Sequence, residues 1–234
     1  MGLKINKADI LIDAKSALDL FGKDFRFDHV KGLAEWLKNS VDAYLREEEI
    51  SAERIPDSEQ LIIIRFRSKT DDEPIRFECI DFCGTTHERI QTNFKKWFDR
   101  LAAKVNGKHL KTYGGHGNGG KFYMRQMFET SCFMTYRNGI FNVFGFDKDK
   151  DYRFARRYEK KKMAPDDALK FVGLDKLFEK LPSNIKKRFR KRKIGFTVVS
   201  GSKPYAVGKT KYANVLHRLR VHLRIPVKPA TRSG

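Results

Sequence analysis

The chain has no long apolar run. Its longest clear one, Leu61 to Ile64, is far short of the ~18 residues a membrane-spanning helix needs, so no membrane partner is expected. The opening stretch MGLKINKADILIDAKS lacks the apolar core of a secretory signal, and Asn6 stands where a myristoylation motif wants Ser or Thr. Cysteine is scarce. Cys79, Cys83 and Cys132 form no even framework, which argues against a disulfide-stapled domain and makes a reducing cytoplasm the simplest home. A zinc site from Cys79, Cys83 and His87 has the wrong spacing for a ribbon or finger. There is no internal repeat and no linker long enough to separate two domains. The chain therefore reads as one domain over residues 1–200, with 201–234 a basic helix and tail packed on it or extending from it.

Hydrophobic residues make up 40% of the 234 positions and include 19 Phe, enough for a substantial core. Charge is unevenly spread. Residues 1–100 carry 17 Lys and Arg against 20 Asp and Glu, whereas 101–234 carry the remaining 32 against 9, a net of +23. Such asymmetry points to a polyanion partner, DNA or RNA, or to a phosphate-rich ligand. The densest basic run is KKRFRKRK, residues 186–193, with seven cations around Phe189.

The segment TYGGHGNGGKFYM (112–124) places five glycines between Gly114 and Gly120, directly before Lys121. It matches two phosphate-binding patterns on paper. The P-loop pattern fails because its lysine must be followed by Ser or Thr to reach magnesium, and here Phe122 follows. The dinucleotide pattern needs a buried strand upstream and an acid ~20 residues on, at the end of a second strand. The approach RLAAKVNGKHLKTY is basic and polar, and CFMTYR (132–137) has no acid. Ordering glycine is entropically costly, so this density suggests close backbone approach to a ligand or a moving lid. DKDKD (147–151) imitates an EF-hand start but has Tyr152 at the glycine position and Tyr158 at the glutamate position.

Periodicity predicts a helix over 31–47, with Leu33, Trp36, Leu37, Val41 and Tyr44 on one side and Glu35, Asn39 and Asp42 grouped on the other. LIIIRFRS (61–68) and IRFECIDF (75–82) read as strands whose alternation implies one covered face. Thr85-x-x-Glu88 reads as a capping box opening a helix with Ile90, Phe94, Trp97, Phe98 and Leu101 along one stripe. After the glycine loop come a short helix, KFYMRQMF, and a hairpin turning on Asn138-Gly139. A helix over 165–181, a buried strand over 194–201 and a basic helix YANVLHRLRVHL complete the reading.

Four stretches, in this order, resemble the GHKL ATPase superfamily of gyrase, the large heat-shock chaperone, histidine kinases and MutL. They are Glu35-Trp-Leu-Lys-Asn39-Ser-Val-Asp42-Ala43, Asp81-Phe-Cys-Gly84-Thr-Thr, Gly115-His-Gly117-Asn118-Gly119-Gly120-Lys121, and Gly195-Phe-Thr197. The resemblance implies a Bergerat-type ATP-binding fold, an α/β (α+β) two-layer sandwich with helices on one face of a mixed, mostly antiparallel sheet. By similarity, Glu35 would be the general base, Asn39 the magnesium ligand, and Asp81 the acceptor of the adenine amino group with Thr197 beside it. Asp42 and Gly84 belong to the same motifs. Backbone N–H groups of the loop through Gly115, Gly117, Asn118, Gly119, Gly120 and Lys121 would surround the phosphates as a lid. DFCGTT, YGGHGNGGKFYMRQMF and NVFGF are most similar to the MORC-like prokaryotic members.

Two departures stand out. Cys83 occupies a usual glycine position, and Thr85-Thr86 a frequent glycine-methionine pair; the chain also has no room for a transducer-like second domain. The implied function is a magnesium-dependent ATP-binding protein with slow ATPase activity coupled to lid closure, as a homodimer or in a larger complex. Its rivals are a nucleic-acid-binding module with a non-hydrolysing nucleotide site and a histidine-kinase-type catalytic domain. Asp42-Ala43 speaks against the last, as does the lack of a histidine-bearing dimerisation helix upstream.

Overall fold

A computed structural model describes residues 14–23, 28–94, 96–97, 104–105, 108–109, 118–191, 194–205 and 212–223. The first helix, α1, covers Ala14–Gly22, and the long α2 covers His29–Ser51. Asp28 caps α2 by accepting from Lys31 N at 2.9 Å, and Ala52 ends it in the left-handed region. Strands β1 (Ile62–Arg67) and β2 (Arg76–Asp81) follow as the sequence suggests.

A seven-stranded sheet runs in the order β1-β2-β9-β5-β6-β7, and β8 also pairs with β6. Its members are β5 (Phe128–Arg137), β6 (Ile140–Phe146), β7 (Tyr152–Phe154), β8 (Lys161–Lys162) and β9 (Phe196–Pro204). Every pairing in it is antiparallel, so the mixed sheet expected from the sequence is wholly antiparallel among the described residues. A small ribbon pairs β3 (Lys104–Val105) with β4 (Lys108–His109). The β5–β6 hairpin turns on Asn138 and Gly139, both at positive φ (53° and 80°), which suits the right-handed strand twist.

One face of the sheet is covered by α2 and α4 (Gly119–Met127), with α1 packed on α4 and α8 (Tyr212–Leu223) packed on α2. Leu33, Trp36, Phe77, Tyr123, Phe128 and Leu219 are among the buried residues of this core. The expectation of helices on one face alone needs correction. Helices α5 (Pro165–Phe171), α6 (Asp175–Glu179) and α7 (Ser183–Arg190) pack Leu169, Phe178, Ile185 and Phe189 against Ile80, Met134, Tyr136, Phe196 and Val198 on the other side. The charged positions of the strand alternation do not face water either. Arg65 pairs with buried Glu78 and donates to the carbonyls of Val172 and Gly173. A satisfied ion pair thus sits where an open face was expected.

The single helix read over 165–181 is two. Gly173 adopts φ +63°, and N–H groups of Gly173 and Leu174 return to Lys170 O and Leu169 O, a Schellman stop after α5. The capping box also shifts by one residue. Thr85 N is taken by Thr135 Oγ1 at 2.8 Å, so Thr86 caps the short α3 (His87–Arg89), accepting from Arg89 N. A π-type turn, Ile90–Phe94, follows it, while Phe98 and Leu101 lie outside the described residues. No helix among the described residues is long and apolar enough to cross a membrane.

Candidate functional site

Between α2 and the inner face of β2, β9 and β5 lies a cavity of about 140 Å³. Apolar walls come from Trp36, Ile90, Phe94, Met124, Phe133 and Val199. A few polar groups interrupt them: Asn39, Ser40, Asp42, Arg46, Asp81, Arg89 and Thr197. A mostly apolar recess with a few convergent polar atoms is the usual form of a small-molecule site.

Helical spacing explains α2's contribution. Asn39, Asp42, Ala43 and Arg46 recur at three and four residues, so one stripe faces the cavity for ~10 Å at ~1.5 Å per residue. The polar side that a lone helix would give to water is therefore turned inward, and Asp42 is buried.

Asp81 is the last residue of β2, directly opposite Thr197 of β9, and both are buried. Ser40 Oγ donates to Asp81 Oδ2 at 3.0 Å, and Cys83 N donates to Oδ1 at 3.1 Å. Burial pushes the Asp81 carboxyl up to about 6, against the opposing help of the Cys83 and Gly84 N–H groups, Ser40 and the Arg46 charge. Gly84 turns the chain beneath this carboxylate at φ +72°. A Cβ there would lie 2.3 Å from Tyr136 O, so the turn requires glycine. Tyr44 fixes the same corner by donating to Leu61 O at 2.8 Å and accepting from Phe82 N at 3.2 Å. Cys79 and Cys83 are buried thiols whose ionisation is pushed upward by burial, to about 12 for Cys79.

At the other end, the first turn of α4 closes on α2. Trp36 Nε1 donates to Gly120 O at 3.1 Å. A Cβ on Gly119 would meet Glu35 Oε2 at 2.4 Å, and one on Gly120 would meet Asn39 Nδ2 at 2.4 Å.

The structure brings Asn39, Asp42, Asp81, Gly84, Gly120, Lys121 and Thr197 into one cavity. Glu35 does not line it; its carboxylate lies against Gly119 and pairs with Lys38 at 2.8 Å. Asn118 is buried at the start of α4, and Gly119, Gly120 and Lys121 are helical rather than part of a loop. Gly115 and Gly117 lie outside the described residues. The Lys121 ammonium donates to the carbonyls of Phe94 and Lys96 and lies 4.8 Å from the centre of the Trp97 ring. Among the described residues no group of three or more His, Cys, Asp and Glu could hold a metal ion.

Sequence reasoning missed two arginines. Arg46 lines the cavity with its Nε buried and without a hydrogen-bond partner, and Arg89 lines it from α3. Burial lowers the pKa of both, and the Arg46 charge adds to the effect on Arg89. Arg46 follows Asp42 by four residues, so the periodicity that picked out Asn39 and Asp42 could have found it. Beyond it, Arg137 closes the wall by bridging Glu47 at 2.7 Å and Cys83 O at 2.7 Å. No family model matches the chain, and no curated protein matches it.

Proposed function

We propose that the cavity binds ATP with magnesium, and that the chain hydrolyses it slowly with lid closure and dimerisation coupled to occupancy. One observation carries the reading: a buried carboxylate, Asp81, faces Thr197 in a recess walled by apolar side chains. That pairing suits a ligand edge carrying an amino donor, because an acceptor held in low dielectric discriminates strongly against ligands that cannot donate. The glycine-lined junction of α4 and α2 suits the phosphate end, where backbone N–H groups of a helix start favour anions. Asn39 at that junction would be the protein ligand of magnesium, which keeps mostly water and phosphate oxygens. Magnesium, when bound, neutralises charge on the β- and γ-phosphates. Glu35, one turn before Asn39, would orient and deprotonate the attacking water.

Calorimetric titration with ATP, with and without magnesium, tests the binding step. Phosphate release with and without DNA tests turnover. Absence of ATP binding by the folded chain overturns the proposal. A second reading, a nucleotide-binding module without turnover, is favoured by one contact: Glu35 is held by Lys38 outside the cavity lining. ATP binding without phosphate release would select it.

A further inference from the structure

We propose that the surface formed by residues 156–162 and the end of α5 binds single-stranded nucleic acid, with Phe171 as a stacking platform for a base. This site is separate from the cavity and does not depend on its occupant. Phe171, the last residue of α5, is 44% exposed. Its ring is nevertheless held in place, 4.6 Å from the Tyr158 ring and 5.2 Å from that of Phe141, a fully buried residue of β6. The segment carrying Tyr158 is pinned to the same strand, because β8 pairs Lys161 and Lys162 with Phe141 and Ile140. An exposed aromatic face fixed to a sheet edge keeps its geometry when a base arrives, so little ordering entropy opposes stacking.

Cations lie beside Tyr158, the partner of this ring, and Lys170 directly precedes Phe171 in α5. Arg156, Arg157, Lys160, Lys161, Lys162 and Lys170 make no ion pair among the described residues. Lys161 and Arg157 lie 4.9 and 6.0 Å from the centre of the Tyr158 ring. Glu159, the acid within the run, is within 3.8 Å of His87, and Asp166 and Asp167 sit in the first turn of α5, four residues before Lys170 and Phe171. Cations beside an exposed ring match a chain of phosphates carrying unpaired bases. A duplex hides its bases, and one half-exposed ring gives little apolar area to a lipid surface.

The run 186–193 fits this role less well. Arg188 is paired with Glu59 at 2.8 Å, Arg190 with Glu179 at 3.7 Å, and Lys186 donates to Glu179 O. Phe189 is fully buried against Tyr136 and Phe178, so it offers no face for a base. Arg192 and Lys193 lie outside the described residues.

Fluorescence anisotropy of a labelled oligo-dT with the full chain tests the site. The double variant Arg157→Glu/Lys161→Glu should weaken binding about tenfold or more and flatten its salt dependence. Phe171→Ala should weaken it about tenfold, while Phe171→Trp should restore or tighten it. Lys187→Glu/Lys191→Glu in and just after α7 should have the smaller effect. Should Phe171→Ala unfold, the tryptophan and surface-charge variants still decide the matter. The proposal is overturned by oligo-dT affinity unchanged in the charge variant, or by tightness toward blunt duplex equal to that toward oligo-dT. Binding to phosphatidylglycerol vesicles without binding to oligo-dT overturns it as well.

Discussion

Asp81 and Thr197 face one another across the β2–β9 ladder and open their side chains into one cavity. Residues 116 positions apart in the chain thereby become a single polar spot in an apolar recess.

Asp81→Asn should abolish or greatly weaken ATP binding while leaving the protein folded. The amide can keep the Cys83 N–H contact through its oxygen and donate to Ser40, yet it presents a donor to the ligand's donor. An unmatched buried polar pair costs ~1–3 kcal/mol. The melting temperature near neutral pH should not drop, because the buried carboxylate, with its pKa raised to about 6, is itself a destabilising charge there. Unaltered ATP affinity in calorimetry would remove Asp81 from the site.

Nucleotide affinity should depend on pH through the same carboxyl. With its pKa pushed up to about 6, Asp81 accepts fully above that pH and becomes protonated below it. Affinity is therefore present above about 6 and lost as pH falls through it. Cys79, Cys83 and Tyr44 nearby are all driven upward by burial, away from this window. A titration series across this range checks it; flat affinity would mean another group reads the ligand.

Glu35→Ala should lower ATP turnover by roughly 10²–10⁴-fold, the usual worth of a general base, with ATP binding kept. Phosphate release and calorimetry on the same sample separate the two. Hydrolysis at the wild-type rate would leave Glu35 as the partner of Lys38 alone.

Gly84→Ala should destabilise the fold by ~1–3 kcal/mol, since a non-glycine residue would be held at φ +72°. The added Cβ would also lie 2.3 Å from Tyr136 O, and that backbone is locked in β5. Urea denaturation measures the loss.

His29 predicts a separate acid sensitivity. Burial lowers its pKa below the ordinary 6.5, while its Nε2 donates to Tyr205 O and its Nδ1 accepts from Tyr123 Oη. A lowered folded value means this contribution to stability is present above the ordinary pKa and lost as pH falls below it. Unfolding midpoints at about pH 7.5 and about pH 5.5 should diverge less in His29→Gln than in the wild type. Equal divergence would assign the acid sensitivity elsewhere.

Local chemistry wrote much of this into the chain. The Asn138-Gly139 turn, the strand pair around KTDDEP and the α2 periodicity each depend on near neighbours, and each appears as read. The order of motifs along the chain also groups Asn39, Asp42, Asp81 and Thr197, which the fold brings into one cavity. Other features depended on distant contacts. Whether α2's polar stripe met water or a cavity was decided by α4 closing on Glu35 and Asn39. The burial of Glu78 was decided by α5 and α6 covering the second sheet face, with Arg65 between. Arg46 and Arg89 met only because α2 and α3 line the same recess. Turns and periodicity follow from torsions and spacing within a few residues. Which face is covered, and by what, follows from packing that unites parts of the chain far apart in sequence, and only the folded structure decides it.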